Sequence, residues 1–140
     1  MAITLNPYIH FDGNAEEVAN FYKGIFGGEL TINRFGDFDS SDVGEEFKNQ
    51  VMHADLKTDE LRLMISDSGP MGAGKVGDNI SISLSGFADD KEKLTGYFDA
   101  LSDGGNVTVA LETHPWGATF GMVTDKYGIH WLVNIDQQAS

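Results

Sequence analysis

The stretches IHFDGNAEEVANFYKGIFGG (9–28) and ISLSGFADDKEKLTGYFDALSDGG (82–105) decide the fold, because each runs an alternating strand into an amphipathic helix that stops at a glycine pair. In the first, Val18, Phe21, Tyr22, Ile25 and Phe26 fall at i, i+3, i+4, i+7 and i+8, one apolar stripe of a 3.6-residue period. Asn14 is placed to cap this helix, with Glu16 and Glu17 at the positive end of its dipole. In the second, Asp89-Asp90 open a helix carrying Leu94, Tyr97, Phe98 and Leu101, which ends at Asp103-Gly104-Gly105. Phe21-Tyr22 recurs 76 residues later as Tyr97-Phe98. On the preceding strands Ile9-x-Phe11-x-Gly13 matches Ile82-x-Leu84-x-Gly86 at an offset of 73, with the three-residue difference absorbed in the connecting turn.

Working outward, each half continues with three strands. ELTINRF (29–35), VMHADLKT (51–58) and LRLMISD (61–67) follow the first helix; NVTVALE (106–112), ATFGMVTD (118–125) and IHWLVNI (129–135) follow the second. Asp59-Glu60 is short enough to make a hairpin of 51–58 and 61–67. The leading strands read as 3–11, with Pro7 near an edge, and 79–87. Residues 36–50 form an acidic loop with a short helix ending near Phe47, and 68–78 a Gly-rich connector. The chain is therefore α+β, with two tandem βαβββ modules in one domain of residues 1–140: module one about 1–67, module two about 79–135.

Composition narrows the function. Nine Lys and Arg against 22 Asp and Glu give a net charge of −13, which repels nucleic acid and anionic membrane surfaces. There is no Cys, hence no disulfide, thiolate nucleophile or Cys-based metal site. No basic, apolar leader or membrane-length run is present, so a cytoplasmic protein is expected. GPMGAGKV (69–76) has Val76 where a phosphate-binding loop needs a hydroxyl, and a strand rather than a helix follows it.

The repeat, together with PYIHFDGNAEEVANFYKGIFGG, VMHADL, LRLMISD and WGATFGMVTDKYGIHW, resembles the PhnB-like branch of the vicinal oxygen chelate superfamily of glyoxalase I, bleomycin-resistance proteins and extradiol dioxygenases. That resemblance implies an open, mostly antiparallel sheet curved around a cavity, and a homodimer. It puts the superfamily's metal-ligand positions at Asn6, Met64, Asn79 and Leu132. Two amides, a thioether and an alkyl group are not a catalytic donor set for Zn, Ni or Fe. The branch is sometimes labelled a methyltransferase, but no glycine-rich turn in a doubly wound pattern supports that chemistry.

Side-chain parity fills the cavity wall with Asn6, Tyr8, His10, Met64, Ser81, Ser83, His130 and, at the rim, Trp116. Trp131, on the opposite parity, belongs to the core. The expectation is a non-enzymatic protein binding a small organic molecule, a cationic drug-like compound being one version, with no cofactor. One alternative is a divalent-metal lyase, isomerase or dioxygenase with relocated ligands His10, His53 and His130; another is an interaction module whose cavity is filled.

Overall fold

The computed structural model describes residues 3–37, 47–69, 75–115 and 117–137. It divides into two compact units, Met1–Val76 and Gly77–Ser140, with the boundary inside the expected connector. Unit 1 runs β1 (Tyr8–Phe11), α1 (Ala15–Phe26), β2 (Glu29–Arg34), β3 (Val51–Lys57) and β4 (Arg62–Asp67); unit 2 runs β5 (Ile82–Phe87), α2 (Lys91–Ser102), β6 (Asn106–Thr113), β7 (Thr119–Thr124) and β8 (His130–Asp136). Each unit forms its own four-stranded sheet, in the orders β1-β4-β3-β2 and β5-β8-β7-β6. The first and last strands of each unit pair in parallel and the other pairs are antiparallel. The βαβββ repeat is thus present twice, as two sheets rather than one. Among the described residues no helix is long and apolar enough to cross a membrane.

Both helices lie where the periodicity put them. Val18, Ala19, Tyr22 and Phe26 bury the stripe of α1, and Leu94, Phe98 and Leu101 that of α2. The β3–β4 hairpin closes as read: Thr58 N–H donates to Leu61 O (2.9 Å), and the Thr58 hydroxyl accepts from Glu60 N (3.1 Å) and Leu61 N (2.9 Å).

The leading strands are shorter than the alternation suggests. Ile3 and Leu5 are fully exposed ahead of β1, because β4 begins only at Arg62 and leaves the chain before Pro7 without a strand opposite it. Likewise Ile80 is 76% exposed ahead of β5, whose pairing begins at Ile82 opposite Trp131. The repeat offset changes with them. Ile9 lies opposite Ile65 and Leu84 opposite Val133, so corresponding residues on β1 and β5 are 75 apart and not 73. The clean alternation of β3 is also broken. Asn33 faces His53 and Arg34 faces Val51, leaving Met52 as a β-bulge that turns Val51 into the core.

The N-terminus of α1 is capped from the sheet and not by its neighbour in sequence. Asn14 makes no side-chain cap bond. Instead Asp67, at the end of β4 and 4% exposed, accepts from Gly13 N (2.8 Å) and Ala15 N (3.0 Å) through Oδ1, and from Val51 N (2.9 Å) through Oδ2. Unit 2 has a buried acid elsewhere. Asp125, 3% exposed in the turn before β8, accepts from Tyr127 N (2.9 Å) and Ile129 N (3.1 Å) through Oδ1, and from the Trp131 indole N–H (2.9 Å) through Oδ2. Trp131 is core, as its parity implied, with its one polar atom satisfied.

Gly121 on β7 is a packing requirement. A Cβ there meets Leu111 Cα at 2.8 Å and Phe98 Cε2 at 2.9 Å, one in backbone and the other in a 4%-exposed ring. Gly121→Ala is therefore expected to cost about 2 kcal/mol through overpacking, read as a lowered urea midpoint with unchanged slope. A neutral result removes the close approach of α2 to β7.

Candidate functional site

The sheet of unit 1 has one face against α1, carrying Ala54, Leu56, Leu63 and Ile65, all buried. Alternation sends Tyr8 and His10 of β1, Met64 and Ser66 of β4, and His53 and Asp55 of β3 to the other face. Register sets them in rows. Tyr8, Met64, Asp55 and Thr31 cross all four strands. His10 sits opposite Ser66 in the next row, and His53 opposite Asn33.

Side-chain bonds join these residues. His10 Nδ1 lies 2.8 Å from the buried Ser66 hydroxyl, and His53 Nδ1 lies 3.2 Å from the Tyr8 hydroxyl. The phenol therefore reaches from β1 across β4 to β3. Its ring, on a residue 44% exposed, stands 4.6 Å from the His10 ring and 5.4 Å, edge-on, from the His53 ring, centroid to centroid. Since a hydroxyl both donates and accepts, neither bond fixes an imidazole tautomer.

At the far end Arg62 grips Asp55 with Nε to Oδ1 and Nη2 to Oδ2, both at 3.0 Å. The Arg62 guanidinium holds the Asp55 carboxyl below the usual carboxylate range, with burial pulling weakly the other way; Arg62 in turn is raised by the Asp55 bond. The charge on Asp55 is thus already answered within the face.

The helix-free face of unit 2 is different in kind. Ser83, Leu132 and Met122 form one row, and Thr124 pairs with His130, whose Nδ1 is 2.9 Å from the Thr124 hydroxyl. Ser83 and Ser85 hydroxyls bond each other at 3.1 Å. Phe120 meets the His114 ring edge-on at 5.6 Å.

Of the cavity residues expected from sequence, Tyr8, His10 and Met64 share the open face of unit 1, and Ser83 and His130 that of unit 2. Asn6 precedes β1 with its amide on Thr4 Oγ1 (3.0 Å), and Ser81 is exposed just ahead of β5. Trp116, most of the acidic loop (38–46) and part of the Gly-rich connector (70–74) lie outside the described residues. Sequence reading missed the Tyr8–His53 and Asp55–Arg62 pairs. The signal for the second was present, since residues of opposite charge on the two arms of a two-residue hairpin face each other diagonally.

The donor set does not fit a divalent metal. Asn6 and Asn79 fall outside the strands, and the residue beside Met64 is Tyr8, while that beside Leu132 is Ser83. Phenol, thioether, hydroxyl and alkyl bring no imidazole, and the one carboxylate in these rows, Asp55 opposite Met64, is held bidentately by Arg62. Among the described residues no group of three or more His, Asp or Glu side chains is placed to hold a metal ion.

A family model described as 3-demethylubiquinone-9 3-methyltransferase matches residues 3–134. The crystal structure of protein PA1353 from Pseudomonas aeruginosa is 35% identical with a TM-score of 0.83, covering 98% of this chain and 100% of that one. A PhnB protein from Bacillus cereus is 25% identical with a TM-score of 0.71, over 95% of this chain and 99% of its own. At 14% identity a glyoxalase/bleomycin resistance protein/dioxygenase family enzyme from Burkholderia phytofirmans PsJN shares the fold, with a TM-score of 0.56 over 91% and 95% of the two chains.

Proposed function

We propose, for a chain that belongs to the PhnB-like branch of the glyoxalase/bleomycin-resistance/dioxygenase superfamily, a role in binding a small organic molecule without a divalent cation. The observation that carries the reading is the open face of unit 1. There Tyr8, His10, His53 and Met64 offer ring, thioether and hydrogen-bonding surface, and Met64, a thioether, stands where the resemblance puts a metal ligand.

Methyl transfer is not carried over with the family's description. The N-terminus of α1, which follows β1 through a three-residue turn, has Asp67 as the acceptor of its Gly13 and Ala15 amides, a side-chain carboxylate of the protein where a nucleotide-binding turn offers such amides to a cofactor.

Thermal unfolding in two panels tests the proposal. Saturating Zn, Ni, Mn or Fe(II) is expected to leave the midpoint in place, whereas a bound organic compound at a hundred times its Kd adds about 2.7 kcal/mol and raises it. A stoichiometric metal in the purified protein, whose removal lowers the midpoint, overturns the metal-free reading.

A further inference from the structure

We infer that the Tyr8–His10–His53 end of this face is built for a planar, anionic head group, a carboxylate on an aromatic or unsaturated body. This rests on the binding role proposed above and specifies its ligand. Each imidazole is engaged through Nδ1, His10 with Ser66 and His53 with Tyr8, which leaves both Nε2 atoms for a ligand. The hydroxyls that hold them can turn to donate to Nδ1, so each ring can present Nε2–H outward. Arg62 uses Nε and Nη2 on Asp55 and retains Nη1.

The acceptor side is depleted. Among the strand residues of this face the carboxylates are Asp55 and Glu29, and Asp55 is taken bidentately by Arg62. Farther along the face, Glu29 stands opposite Lys57, so the fixed charges on it cancel in a protein of net charge −13. The open face of unit 2 makes the contrast. Its strand residues carry His130, no Lys or Arg, and the acids Glu112 and Asp136, with the His114 ring against Phe120. Among the described strand residues of the unit 1 face no carboxylate is left without a basic residue beside it, and the exposed Tyr8 ring between the imidazoles gives a planar body something to lie on.

Benzoate, benzamide and benzamidine are nearly isosteric heads of charge −1, 0 and +1, and ligand-observed NMR on the full chain reads their binding even at millimolar strength. Benzoate is expected to bind about tenfold tighter than benzamide, with benzamidine weakest, the difference corresponding to one charge-assisted hydrogen bond. His10→Asn and His53→Asn keep an amide where Nδ1 stood and delete Nε2. Each is expected to narrow the benzoate preference to about threefold or less with an unchanged unfolding midpoint, as one charge-assisted donor is lost while the Ser66 or Tyr8 bond is retained. Benzamidine binding tightest, equal binding of all three, or a benzoate preference that survives both variants overturns the anionic assignment and leaves the binding role standing. If none of the three perturbs Tyr8, His10 or His53 resonances, the binding role of this face falls with it.

Discussion

Asp125→Ala is expected to lower stability by about 3–5 kcal/mol, a fall of roughly 10–15 °C in the unfolding midpoint, because it strips three donors of one acceptor at once. Tyr127 N, Ile129 N and the Trp131 indole N–H all point at this carboxylate, which is 3% exposed. Each buried donor left unmade costs about 1–3 kcal/mol, and Trp131 cannot turn to water without emptying the core of unit 2. Asp125→Asn separates charge and hydrogen bonding from shape. Its carbonyl oxygen can still serve Tyr127 and Ile129, but its NH2 then faces the indole N–H, donor against donor. It should cost nearly as much as alanine. Trp131→Phe removes the opposing donor, so the double variant is expected to be more stable than the two single losses summed, by about 1 kcal/mol or more. Additive losses, or an asparagine variant within about 0.5 kcal/mol of the parent, remove the indole–carboxylate bond from the account.

The second large effect belongs to Asp67. Asp67→Asn is expected to cost about 2–4 kcal/mol, since the amide must set its NH2 against either Val51 N or the Gly13 and Ala15 amides. The loss is distributed over three elements, and hydrogen exchange at Gly13, Ala15 and Val51 should rise together. Asn14→Ala provides the contrast. An N-cap side chain is ordinarily worth about 1 kcal/mol, but Asn14 makes no cap bond and its replacement should be nearly silent. If Asn14→Ala proves as damaging as Asp67→Asn, the helix is capped by its neighbour after all and the cross-sheet carboxylate is incidental.

These two acids mark where sequence reading stopped short. The helices, the β3–β4 hairpin and the inward parity of Trp131 were legible because each is encoded in residues a few positions apart. The cap of α1 was not, since Asn14 has the right chemistry in the right place and the true acceptor lies 52 positions away from Ala15. Strand starts failed for a related reason. Alternation in 3–11 and 79–87 records which residues prefer a sheet, whereas a strand exists only where another runs beside it, and β4 and β8 begin too late to pair the leading segments.

The candidate site divides the same way. Parity alone placed Tyr8, His10 and Met64 together. The Tyr8–His53 bond needed the order β1-β4-β3, which leaves no periodic trace. Matching Ile9 to Ile82 follows apolar character, whereas counting helix-facing positions on the paired last strands, Ile65 with Val133, matches Ile9 to Leu84.

The third helix-facing position on the last strand of each unit holds Asp67 in one and the apolar, 3%-exposed Ile135 in the other. One repeat is latched at the start of its helix and its twin at the turn before its final strand. The two halves therefore have separate points of fracture. Drift that loosens one latch leaves the other closed, so the halves of this duplicated chain are free to diverge in surface chemistry without unravelling in step.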